Sequence, residues 1–220
     1  MSARHYSYIK EVVDIIAEYN NRYYAWEIDE ADDDYNIALR ALWSISCNNL
    51  EVLKIATVSD MSIYPVSSCA RLILECLTDA SYLSEHKEEA REYWRNQDKI
   101  KQDLNGRENK WEAFTKGSVN RYGQLSEKRT QVRIEKQLGI EFLGDYNMLC
   151  FYTHPNIAAL QWINHIGNDE LAGSILLSLA HYLNIWFNLL PNPTPTEINM
   201  TDVATKLLEA ANKHLPGADK

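Results

Sequence analysis

Apolar residues recur along this chain at intervals of three and four, with no sustained alternation of two, so the elements the pattern predicts are helices. Over 8–24 the stripe is Ile9, Val12, Val13, Ile16 and Tyr19, which marks an amphipathic helix packing inward on one face. The pattern continues as a helix over 36–58 and another over 63–86, with Pro65 tolerated in the first turn of the latter. Residues 87–104, rich in Lys, Glu and Arg, predict a more exposed helix ending at Asn105-Gly106, and a span bent near Gly117 and Gly123 fills much of 109–138.

From Tyr146 to Thr196 only Asp169 and Glu170 carry a charge, which makes this stretch a core or an interface. Asp145 is placed to cap a short helix that presents Tyr146, Leu149 and Cys150 and delivers Tyr152 and His154 beside Pro155. Leu171 to Leu190 runs 20 residues without a formal charge, long enough to span a bilayer. Ser174, Ser178, His181, Asn184 and Asn188 put a polar stripe along it, so a central bundle helix or a dimer helix is expected instead. A proline-rich connector over 191–199 leads to a last helix that starts at a Thr201 cap and ends before Pro216-Gly217. The expected fold is all-α: a bundle of six or seven helices over 1–190, centred on 63–86, 145–166 and 170–190, then the connector and a C-terminal helix and tail over 200–220.

Composition refines this picture at three points. The 8 glycines and 6 prolines in 220 residues are few for a fold of many turns. The four cysteines, at 47, 69, 76 and 150, form no CxxC pair and sit in apolar stretches, as buried reduced thiols do. The N-terminal stretch has charges scattered through it and no long apolar run, unlike a signal peptide or an anchor, so a cytoplasmic protein without membrane contact is expected.

The net charge of -9 argues against a protein that coats nucleic acid. The charge is uneven, however: residues 87–136 hold 13 Lys and Arg against 9 Asp and Glu, and interleave Trp94, Trp111, Phe114 and Tyr122. Cations beside stacking rings can hold a nucleic-acid strand, and a mixed-charge helix face over buried rings explains the same pattern. The acidic run at 27–34 reads as a solvated loop or helix start, since carboxylates favour helix N-termini.

The candidate chemistry starts from SSCARLILECLTDASYL, where Arg71, Glu75 and Asp79 fall four residues apart on one helical face. Burying unpaired charge costs several kcal/mol, about 3–5 for a broken pair, so these groups must pair with each other, with another helix or with a ligand. An Arg71–Glu75 ion pair that docks the helix is one account; a polar pocket lined by these groups is the other. His154, at a helix end, is the nearest candidate acid or base. A metal site built from His154, His165 and His181 finds no support in spacing, and no phosphate loop, nucleophile elbow or dinucleotide fingerprint is present, so no metal and no cofactor is expected.

RLILE at 71–75 and YNMLCFYTHPN at 146–156 resemble the R-x-x-x-E helix and the Y-x-x-L-(S/C)-x-x-x-H-P element of helical bacterial proteins related to the abortive-infection (AbiV-type) and HEPN-like families. The resemblance covers about residues 36–190 and carries over Arg71, Glu75, Tyr146 and His154. It implies a HEPN-like bundle acting in phage defence or as a toxin-antitoxin module. Catalytic HEPN ribonucleases carry an Arg followed four to six residues later by His, and no such pair stands near His154 or His181, which counts against ribonuclease activity.

Two functions are therefore expected. One is an effector that acts on RNA or a nucleotide, with Arg71 on a phosphate, Glu75 and His154 as catalytic partners, and Tyr146, Tyr152, Asp79 and His181 lining the site. The other is a non-catalytic binding or assembly module, a homo-oligomer or a protein partner's docking unit, in which the same groups form a buried polar network.

Overall fold

The computed structural model describes residues 3–23, 33–58, 63–91, 93, 125–154, 157–190 and 200–215. The acidic residues 27–32, the connector 191–199 and the ring-bearing basic stretch from Trp94 to Tyr122 lie outside the described residues, as do the helix end at Asn105-Gly106 and the bend at Gly117 and Gly123. The described chain is all-helical: α1 (Ala3–Tyr23), α2 (Asp34–Val58), α3 (Ile63–Glu85), α4 (Thr130–Gln137), α5 (Ile140–Thr153), α6 (Ile157–Ile166), α7 (Asn168–Leu189) and α8 (Met200–His214). Residues 87–91 add a further short helical stretch.

The α1 stripe from Ile9 to Tyr19 is buried throughout, as its periodicity requires. Asp33 stands just before α2 and its carboxylate accepts the Asn36 N–H at 2.7 Å, so one acid of the 27–34 run caps a helix. α3 is the hub. It packs against α2, α4, α5 and α7, and the buried set Ile73, Leu74, Leu77, Ala80 and Leu83 explains why so few of its positions are polar. Each such leucine contributes about 1.5–3 kcal/mol on burial. Its buried hydroxyls turn back on the helix: Ser67 donates to the Ile63 carbonyl and Thr78 to that of Leu74.

Trp43 of α2 and Trp186 of α7 stand 5.3 Å apart between ring centroids, with Phe187 and Tyr19 closing the group in edge-to-face contact, and join α1, α2 and α7. Midway along α1, Lys213 Nζ and His214 Nε2 donate to one Glu11 oxygen at 2.9 and 2.7 Å, fixing α8 across α1. Beside the buried Leu125, the Ser126 backbone and hydroxyl both donate to Glu89, while the Tyr82 hydroxyl donates to the same carboxylate.

Two expectations are corrected. The 145–166 element is two helices, because His154 leaves helical geometry at ψ 140 directly before Pro155. Asp145 caps nothing: α5 starts at Ile140 after Gly139, whose φ of 102 breaks the chain between α4 and α5 at low cost. Asp145 instead accepts the Tyr182 hydroxyl at 2.9 Å and ties α5 to α7. Gly167, at φ 97, makes the corresponding break between α6 and α7.

Candidate functional site

Arg71 and Glu75 meet where α3 packs on α5. Arg71 Nε donates to Glu75 Oε1 at 2.9 Å across one helical turn, and each side chain keeps 27% of its surface exposed. Arg71 Nη1 donates to Thr153 Oγ1 at 3.2 Å, and the guanidinium lies 5.7 Å from the Tyr146 ring centroid. The Tyr146 hydroxyl donates to the same Glu75 oxygen at 3.2 Å. The Glu75 carboxylate thus draws donors from both helices, and the cluster holds α5 in register on α3.

Electrostatics fix the protonation states of this cluster. Burial works against the charge on Arg71, but the Glu75 hydrogen bond and carboxylate outweigh it and hold the guanidinium protonated. Burial, then the neighbouring Glu75 charge, pushes the Tyr146 phenol well above its ordinary value. Tyr146 is therefore a fixed donor, not a proton acceptor.

Asp79, the third charge on the stripe, belongs to a separate and deeper pair. Arg133 of α4 donates to Asp79 Oδ1 from Nε at 3.1 Å and from Nη2 at 2.7 Å, and from Nη1 to the Glu127 carbonyl at 2.6 Å. The Tyr93 hydroxyl reaches Asp79 Oδ2 at 3.3 Å. Only 9% of the Arg133 side chain and 17% of Asp79 are exposed. Arg133, one of the cations in the basic segment, is thus spent on the core.

The remaining candidates lie apart. His154 forms the C-terminal cap of α5, its N–H bonded to the Cys150 carbonyl, with its side chain exposed and no hydrogen bond to Arg71 or Glu75. His165 and His181 are exposed on α6 and α7. Tyr152 is buried with its ring edge-on to Phe151. Among the described residues no three of His, Cys, Asp and Glu converge as metal donors. The cysteines are free thiols, and burial pushes Cys47 and Cys69 up to about 11 and Cys76 up to about 12, so these three stay protonated at neutral pH.

The partners that spacing could not reveal are Thr153 and Arg133, which lie 82 and 54 residues from the groups they bond. Also unforeseen is the exposure of α6, where Ile157 is 77%, Trp162 53% and Leu160 51% exposed and Ala159 alone is fully buried.

The class defined by these observations is an all-α bundle with ion pairs between and along its helices, and among the described residues no helix is long and apolar enough to cross a membrane. Comparisons of the chain with protein-family models, curated proteins and solved structures give no match.

Proposed function

We propose that this protein is a non-catalytic helical assembly module that self-associates through the outer face of α6. The observation that carries the reading is the exposure of Ile157, Leu160 and Trp162 on one short helix, where Trp162 is the one large aromatic ring among the described residues to stand that far out. Residues 157–168 hold no Asp, Glu, Lys or Arg, so two copies can meet there without opposing like charges despite a net charge of -9 each. Gln161, Trp162 and His165 also line a shallow cleft of about 310 Å³ in which a partner's side chain can lodge.

The effector reading draws less from the geometry. Its phosphate-binding arginine is already committed to Glu75 and Thr153, and its proposed acid or base makes no bond with either. The likeness to abortive-infection and HEPN-like families rests on the sequence elements quoted above.

Sedimentation velocity across a concentration series tests assembly. Wild type is expected to shift reversibly from monomer to dimer, and Trp162→Glu to remain monomeric with its melting temperature unchanged, because the ring is half exposed already. Arg71→Ala is expected to assemble as wild type does, while losing about 1 kcal/mol of stability with the part-exposed pair. Wild type that stays monomeric at the highest attainable concentration refutes self-association. If Arg71→Ala keeps its stability and its assembly but abolishes binding of a short RNA or a nucleotide by wild type, the effector reading takes its place.

A further inference from the structure

A cavity lies away from the Arg71 cluster and from the exposed Ile157, Leu160 and Trp162 of α6. It measures about 560 Å³ and opens where the start of α1, the break between α6 and α7, and the end of α8 come together. That volume falls within the range of small-molecule sites, about 300–1,000 Å³.

Its inner wall carries His5, a histidine with only 1% of its surface exposed. One ring nitrogen is unsatisfied: His5 Nδ1 has no hydrogen-bond partner, and the Asp169 carboxylate stops 3.9 Å away, beyond hydrogen-bond length. The other ring nitrogen faces Gly173, where a Cβ would come within 3.5 Å of Nε2. A Cβ there would touch the imidazole, and Gly173 itself lines the cavity. A buried imidazole left in this way costs free energy unless something else bonds it.

The surroundings set the chemical class of that partner. Burial is the largest influence on His5 and lowers its pKa, so the ring is neutral and can accept a hydrogen bond. Among the side chains that line the mouth, the two carboxylates of Asp169 and Glu170 stand with the one guanidinium of Arg4, so acceptors for a cation outnumber side-chain cations there. Ile166, Leu177 and Leu215 supply an apolar wall. We infer that this cavity binds a small organic amine, its ammonium group donating to the His5 imidazole and to the carboxylates at the mouth, and its apolar body resting against Ile166, Leu177 and Leu215.

Three probes with one ring and different head groups test this by isothermal titration calorimetry on the full chain: benzylamine, benzyl alcohol and benzoate. Benzylamine is expected to bind at least tenfold more tightly than either of the others. His5→Phe keeps the volume and removes the acceptor, and is expected to weaken benzylamine at least tenfold. Gly173→Leu fills the cavity from the helix side and is expected to abolish binding without lowering the melting temperature, so the inference stands or falls even if His5→Phe fails to fold. Equal or tighter binding of benzoate, no benzylamine binding by wild type, or unchanged binding by Gly173→Leu each overturns it.

Discussion

Replacing Arg133 by Met removes the guanidinium that bridges Asp79 to the Glu127 carbonyl and leaves its stem to fill the same space. Asp79 then stays buried with the Tyr93 hydroxyl, at 3.3 Å, as its remaining donor. An uncompensated charge of this kind costs about 3–5 kcal/mol, a large part of the roughly 5–15 kcal/mol that holds a domain together. At about 2–4 °C per kcal/mol for a chain of this size, the melting temperature should fall by roughly 6–20 °C. The pH dependence follows from Asp79. Burial already raises its folded-state pKa above the ordinary 3.8, with the Arg133 charge and hydrogen bonds pulling the other way. A folded pKa above the unfolded one means a contribution that is fully present below 3.8 and is lost as pH rises through the folded value. Deleting Arg133 lifts that folded value further, so the deficit of Arg133→Met should be largest at pH 7 and shrink toward pH 4. Urea unfolding of wild type, Arg133→Met, Asp79→Leu and the double variant at both pH values measures it. The double variant should recover to within about 1–2 kcal/mol of wild type, short of full recovery because the Glu127 carbonyl and Tyr93 hydroxyl lose a partner. Single variants that cost under 1 kcal/mol, or costs that simply add, would refute the buried pair.

Two further outcomes follow from buried and clasped groups. The Tyr8 hydroxyl is buried without a hydrogen-bond partner, so Tyr8→Phe should raise stability by about 1 kcal/mol, read as a melting temperature higher by roughly 2–4 °C; a fall of the same size would mean that the hydroxyl is bonded in solution. Glu11 is held below its ordinary pKa of 4.5 by hydrogen bonds from Lys213 and His214, so its contribution is present above 4.5 and lost as pH falls through the lower folded value. With a third of the side chain exposed, solvent screening limits this to about 0.5 kcal/mol, and amide exchange in α8 should quicken in that acid window in wild type but not in Glu11→Gln.

Local periodicity made most of the helices legible. The α1 stripe, the bounds of α2 and α3, and the choice of a bundle helix over a membrane span for 171–190 all depend on residues within a few turns of one another. The Arg71–Glu75 pair was legible for the same reason, since four residues bring both groups to one face. Partnerships across the bundle were not. Asp79 looks like a third member of the stripe until Arg133 arrives from another helix, and Asp145 looks like a cap until Tyr182 claims it. His154 followed a sound rule about helix ends, yet its rotation about the α5 axis is set by packing, which turns the ring outward. Nothing in the sequence marks His5, because the residues that surround it, Asp169 and Gly173, lie far along the chain.

The clasp between α8 and Glu11 joins residues 202 positions apart. α2 and α3 can pair as soon as both leave the ribosome, whereas α1 has to wait for its second neighbour. At about 5–20 residues per second, that wait lasts roughly 10–40 s. Throughout it, the part of α1 that α8 covers in the finished bundle stays wet and adhesive. The bundle therefore has a vulnerable age as well as a stable form, and that age ends when α8 arrives to cover α1.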